Sequence, residues 1–317
     1  LIRWQFILLA IKREAKVLRL GTLLSFVGFL FLLSEISSGS QVFNCACEKL
    51  PEMLQVWRTN NPGYHVHFQG LTKERLFSGR NSFKLEVTVP ADSYLYYHIP
   101  VKVFPGRILK FSAYILVEEK TRGKVCFGPG YSLVPDFPGY DGVNDLAMSI
   151  LPASKWNVVE LDIVEMGQQL VKKRLPYLAW GVEDKNVSFY LSGIHLYLES
   201  PPGEKGYFIV FLGDLKIVGE SIPEDKWLAE VESGWQPARA RIKEKLDNWE
   251  KMLEEREKIL ASCTSEEASR IKFKIPHIKR RIITARSMGF IPAEQIKEME
   301  TYFTEMDKVI NMSGSLK

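Results

Sequence analysis

Cysteine is scarce. The chain holds four in 317 residues, Cys45, Cys47, Cys126 and Cys263, too few for a disulfide-stapled scaffold. No two of them stand as CxxC, and no His/Cys cluster has zinc-ligand spacing. Asn44 before Cys45 is wrong for a lipobox, and Ala46 before Cys47 fits one only in part. Catalytic signatures are missing too. There is no GxSxG elbow, no HExxH helix and no phosphate-binding glycine loop. The five histidines, His65, His67, His98, His195 and His277, are scattered. His65 and His67 alternate on an expected strand and so share a face, but no third metal ligand accompanies them.

Excess charge is absent from most of the chain. The net charge of +4 resides in residues 1–19, where Arg3, Lys12, Arg13, Lys16 and Arg19 face Glu14 alone. The remainder balances. A pI near 8.7 that arises from one terminus gives no argument for nucleic acid, and no such partner is expected. A long apolar run is missing as well. Leu20–Ser34 is uncharged for fifteen residues, about 22 Å as a helix, against about 30 Å of hydrocarbon. Basic residues precede it, and Ser37, Ser38, Gly39 and Ser40 come after it. That is the layout of a signal peptide, with an uncleaved signal anchor as the competitor; either would place the residues beyond 40 outside the cytoplasm. A buried core helix is the plain alternative.

Hydrophobic residues make up 46% and charged residues 25%, a globular balance with room for two domains. From Val42 to about Gly219 the pattern is strand after strand. The runs are Phe83–Val89, Tyr94–Ile99, Arg107–Val117, Lys124–Phe127, Asn157–Ile163, Tyr177–Val182, Val187–Leu198 and Gly206–Val218. They are rich in Val, Ile, Phe and Tyr and separated by turn residues. Leu109, Phe111, Ala113, Ile115 and Val117 alternate with the residues between them, one face in and one out. No helical period stands out there. The expectation is an antiparallel β-sandwich of jelly-roll type.

Four of these stretches resemble, in order and spacing, the strands of jelly-roll carbohydrate-binding modules of the galactose-binding-like superfamily. They are GRNSFKLEV at 79–87, PGRILKFSAYI at 105–115, KWNVVELDI at 155–163 and GYFIVFLGDLKIVG at 206–219. The resemblance implies a non-catalytic module whose partner is a polysaccharide or oligosaccharide. Sugar recognition needs flat aromatic faces and planar polar groups. The candidates are Tyr114, outward on its strand; Tyr177 or Trp180, whichever faces out; and the Gly/Pro-rich stretch from Gly128 to Asn144, which carries Tyr131, Phe137, Tyr140 and Asp141. Trp57 and Trp156 read as core. Tyr97 and His98, as strand neighbours, point to opposite faces. The resemblance also implies a structural calcium near the closing strand, with Asp214 at the matching position and Glu48 or Glu74 as partners. A jelly-roll polysaccharide lyase or hydrolase is the enzymatic alternative, although no recognisable catalytic motif supports it.

Past Pro223 the period becomes helical. Ile242, Leu246, Trp249, Leu253 and Leu260 form one seam, Ile271, Ile275, Ile278, Ile282 and Ala285 a second, and Ile296, Met299, Phe303, Met306 and Ile310 a third. Three helices are expected over 224–261, 265–288 and 292–311, with neighbours antiparallel. Thr264 and Glu267 suggest a capping box, Gly289 a stop, Pro292 a start, and Pro276 a kink or break. Such a segment serves as spacer or as a means of self-association, and a membrane-anchored interaction module is the corresponding alternative function. RIITARSMGFIPAEQIKEMETYF also resembles a helical linker of large bacterial glycoside hydrolases, which implies an enzyme domain beyond it. The expected organisation is thus a signal peptide or anchor at 1–41, a sandwich module at 42–220 and a helical segment at 221–317.

Overall fold

The computed structural model describes residues 40–134, 136–137 and 148–314. Among the described residues, eleven strands form two antiparallel sheets. They are β1 (Gln41–Cys45), β2 (Gln55–Thr59), β3 (His65–Phe77), β4 (Arg80–Val89), β5 (Tyr94–Val103), β6 (Pro105–Val117), β7 (Lys124–Val134), β8 (Met148–Ile150), β9 (Asn157–Asp162), β10 (Ser188–Glu199) and β11 (Gly206–Ser221). One sheet has the order β3-β4-β11-β6-β9, with β1 also on β11; the other runs β2-β5-β10-β7-β8. The alternation read in β6 holds, with Leu109, Phe111, Ala113, Ile115 and Val117 all buried between the sheets. Leu95, Tyr97 and Ile99 of β5 point into the same core.

The strand expected at Tyr177–Val182 is a correction. Helix α1 (Ile163–Leu178) occupies the stretch after β9. Asp162 caps it by accepting from the Glu165 amide at 3.0 Å. Its buried residues, Ile163, Gly167, Leu170, Val171 and Leu175, mark one helical face. The extended character after it is real but brief: Ala179 bridges to Pro292, and the Trp180 amide donates to the Ile291 carbonyl at 2.8 Å. Helix α1 packs on the sandwich through Gly167, which sits against the Phe189 ring of β10 where no side chain fits.

The C-terminal helices match expectation closely: α2 (Glu224–Ala261), α3 (Glu266–Met288) and α4 (Ala293–Gly314). The seam residues of α2 and α3 are all buried, as are Met299, Phe303 and Met306 of α4. The cap of α3 is Ser265 rather than Thr264, accepting from the Ala268 amide at 3.1 Å. The helix runs through Pro276 without a break. The seams are spent inside the molecule, where helices and sandwich share one continuous core. Trp227 at the start of α2 lies 4.9 Å from the Phe104 ring, and Phe137 lies 5.1 Å from Phe290 at the α3–α4 turn. Among the described residues no helix is long and apolar enough to cross a membrane. The run Leu20–Ser34 lies outside them.

Gly289 ends α3 in the left-handed region, with φ at 74° and its amide shared between the Ala285 and Arg286 carbonyls. A Cβ there would touch nothing, so Gly289→Ala should cost only the backbone preference, about 1 kcal/mol. A thermal melt should show a midpoint lower by about 2–4 °C.

Candidate functional site

The outer face of the five-stranded sheet gathers rings that lie far apart in sequence. With Leu95, Tyr97 and Ile99 turned inward, the pleat turns Tyr94, Tyr96 and His98 outward. Antiparallel register then sets His195 of β10 opposite His98, and Tyr197 opposite Tyr96. On the edge strand β2 the register slips between Val56 and Arg58, and Trp57 is the additional residue. Such a bulge re-aims a side chain. The Trp57 ring centroid lies 5.2 Å from that of His195, 5.7 Å from His98 and 6.0 Å from Tyr96. Tyr96 and Tyr197 are 4.5 Å apart, and Tyr94 closes the group at 5.5 Å from Tyr96. Trp57 is 47% exposed, whereas Tyr96, Tyr197 and His195 are buried beneath their neighbours.

Glycines make the floor. Gly130 pairs with Gly193, and Gly128 with His195. A Cβ on Gly130 would fall 1.9 Å from His195 Nε2, and one on Gly193 would fall 2.1 Å from His98 Cε1. The two imidazoles therefore lie over bare backbone, 4.8 Å apart. His195 Nδ1 and Nε2 and His98 Nδ1 have no protein hydrogen-bond partner. Burial, with a contribution from His98, pushes His195 down to about 3, and burial also lowers His98. Both rings are thus neutral at pH 7, each offering one donor and one acceptor. Burial and the adjacent Glu199 raise the Tyr197 hydroxyl, which stays protonated. Beyond Tyr94 the face opens into a recess of about 620 Å³, lined by Asp92, Ser93, Lys124 and Glu199 among others.

This arrangement provides stacking surface, neutral hydrogen-bonding groups and a polar end. The residues picked from sequence lie elsewhere. Tyr114 is on the other sheet, half-buried with its ring 4.6 Å from Phe77. Tyr131 is a correction: β7 continues to Val134 instead of opening a loop at Gly128, and Tyr131 is buried in the core beside Phe189. Phe137 is likewise buried, under the helices. Tyr177 is exposed on the last turn of α1. Trp180 is half-buried, with the Lys245 ammonium 5.2 Å from its ring. Tyr140 and Asp141 lie outside the described residues. Trp57, expected in the core, is the most exposed ring of the observed face, and Trp156 is half-buried outside the six-stranded sheet, donating to the Leu76 carbonyl at 3.3 Å.

The calcium expectation meets a mixed donor set. Cys47, Glu48 and Asp214 bring one ligand atom each within 4.8 Å of one another. Arg80 is already there, 2.7 Å from Asp214 Oδ2 and 3.7 Å from Glu48 Oε1. Glu74 is engaged separately by Lys84 at 2.9 Å. One thiol and two carboxylates already facing a guanidinium do not fit a calcium ion, which takes about six to eight oxygens.

No protein-family model matches the chain, and no curated protein matches it. Solved structures do. The Endo-D glycoside hydrolase domain of Streptococcus pneumoniae aligns at 13% identity and TM-score 0.33, over 51% of this chain and 21% of that one. This chain therefore accounts for about a fifth of that structure's length. A family 11 carbohydrate-binding module of Clostridium thermocellum, solved with a β-1,3-1,4-mixed-linked tetrasaccharide, aligns at 16% identity and TM-score 0.33, over 52% of this chain and 88% of the module. A xylan-binding domain of Paenibacillus barcinonensis aligns at 16% and 0.33, over 57% and 94%.

Proposed function

We propose that this chain is a non-catalytic carbohydrate-binding module that takes a saccharide chain across the outer face of its five-stranded sheet. The supporting observation is the Trp57–Tyr96–Tyr197 row laid beside two neutral imidazoles, His195 buried and His98 half-buried. Pyranose rings present apolar C–H faces to aromatic rings and hydroxyls to planar polar groups, and this face offers both. Trp57 is the ring most open to the first contact. The half-buried His98 imidazole then pairs with a hydroxyl, while His195 packs beneath Trp57 as part of the floor.

In this reading the N-terminal basic-apolar segment exports the module or anchors it to a membrane, and the module directs an attached or partner glycoside hydrolase to its polysaccharide. Pull-down and calorimetry of the full chain with a polysaccharide panel that includes mixed-linked β-glucan and xylan test the binding. Retention on at least one polysaccharide without release of reducing ends is expected. A folded chain that binds none of them overturns the proposal, and release of product favours the lyase or hydrolase alternative.

A further inference from the structure

We infer that Arg80 supplies, as a fixed guanidinium, the positive charge that a structural calcium is expected to supply, so that the closing strand of the sandwich is held without a metal. Three local features assemble the cluster. The β3–β4 hairpin turns on Ser78 and Gly79, with φ of 49° and 76°. Two left-handed residues make the tight turn that pairs Phe77 directly with Arg80, and so place Arg80 at the head of β4. Strand β11 slips its register with β6 between Leu212 and Leu215. At the same step its other partner changes from β4, paired through Leu212, to β1, paired from Leu215. Asp214 stands in that irregular step, re-aimed as bulged residues are. Third, the single turn Cys47–Lys49 brings up Glu48 and the Cys47 amide.

The result is a closed set of contacts. Asp214 accepts from Arg80 Nη2 at 2.7 Å through one oxygen and from the Cys47 amide at 3.4 Å through the other. Its side chain is only 15% exposed, so its charge needs a near partner. Glu48 adds a second, longer contact to Arg80, at 3.7 Å from Nη1. The Cys47 thiol cannot serve as a hard-metal donor. It donates to the Asn81 carbonyl at 2.9 Å. The guanidinium links the start of β4, the turn before β2 and the bulge of β11.

Thermal unfolding of the full chain tests this. The native midpoint should be the same in EDTA and in millimolar calcium to within about 1 °C, and Arg80→Ala should lower it by about 2–4 °C. A calcium site filled at a hundred times its Kd would raise the midpoint by about 5 °C or more. Such a rise, a fall on chelation, or an Arg80→Ala chain as stable as the native one would each overturn the inference. None of these outcomes depends on saccharide binding, so they stand or fall apart from the proposed function.

Discussion

Replacing Trp57 by alanine is expected to weaken saccharide binding by about 30-fold or more, roughly 2 kcal/mol, while leaving the sandwich folded. The ring lies on an edge strand and nearly half of it faces solvent, so its loss removes little core. It does remove the outermost stacking surface and the cover over His98 and His195, its neighbours at 5.7 and 5.2 Å. Tyr177→Ala is the matched control. Tyr177 is more exposed still, at 78%, but stands on α1 and outside the ring cluster. It should bind as the native chain does. Isothermal titration with whichever polysaccharide the native chain retains decides between the two. If Tyr177→Ala loses affinity and Trp57→Ala keeps it, the binding face is not the outer side of the five-stranded sheet.

The contrast between those two residues shows where the sequence speaks and where it does not. The helices α2, α3 and α4 are legible almost to the residue, because their seams repeat over many turns and nothing but a helix gives that period. Strands β4, β6, β10 and β11 are legible from alternation. Helix α1 is not. Asn157–Asp162 runs into Ile163 without a glycine or proline, so an apolar strand continues into an apolar helix. The signals present are the Asp162–Glu165 cap spacing and the Leu170, Val171, Leu175 face. The candidate site is the least legible part. Its rings come from β2, β5 and β10, and only register brings Tyr96 to Tyr197 and His98 to His195. Trp57 misleads for a related reason. Tryptophan is core by default, but all of edge strand β2 except Thr59 is exposed, and the bulge sets where the Trp57 ring lies on that edge. The alternation that separates Tyr97 from His98 is plain in the sequence; that His98 meets a second histidine is not readable there at all.

Stability should fall as the pH drops from about 6.5 toward 4.5, and His195 should be a principal cause. In the unfolded chain its imidazole titrates near the ordinary value of about 6.5. In the folded chain burial, aided by His98, holds it down to about 3. Between those values the unfolded state carries the extra proton, so stability is complete above pH 6.5 and is lost as pH falls, by about 1.4 kcal/mol per unit. At pH 4.5 the loss reaches about 2–3 kcal/mol. His98 is shifted the same way and steepens the fall. The nearest rings, those of Trp57 and His98, bring no negative charge to hold an imidazolium. The carboxylates with lowered values, Glu86 and Glu183, lose their contribution only below their ordinary range, near pH 4.5, and so stay out of the upper part of the window. Urea unfolding at pH 7.5, 6, 5 and 4.5 measures the slope, and His195→Phe should flatten it while keeping a flat ring over Gly130. A native chain whose stability does not change from pH 7.5 to 5, or a variant with the native slope, would refute the assignment. Because the neutral His98 imidazole is the group offered to hydroxyls, saccharide affinity should weaken with acid as that ring takes up a proton.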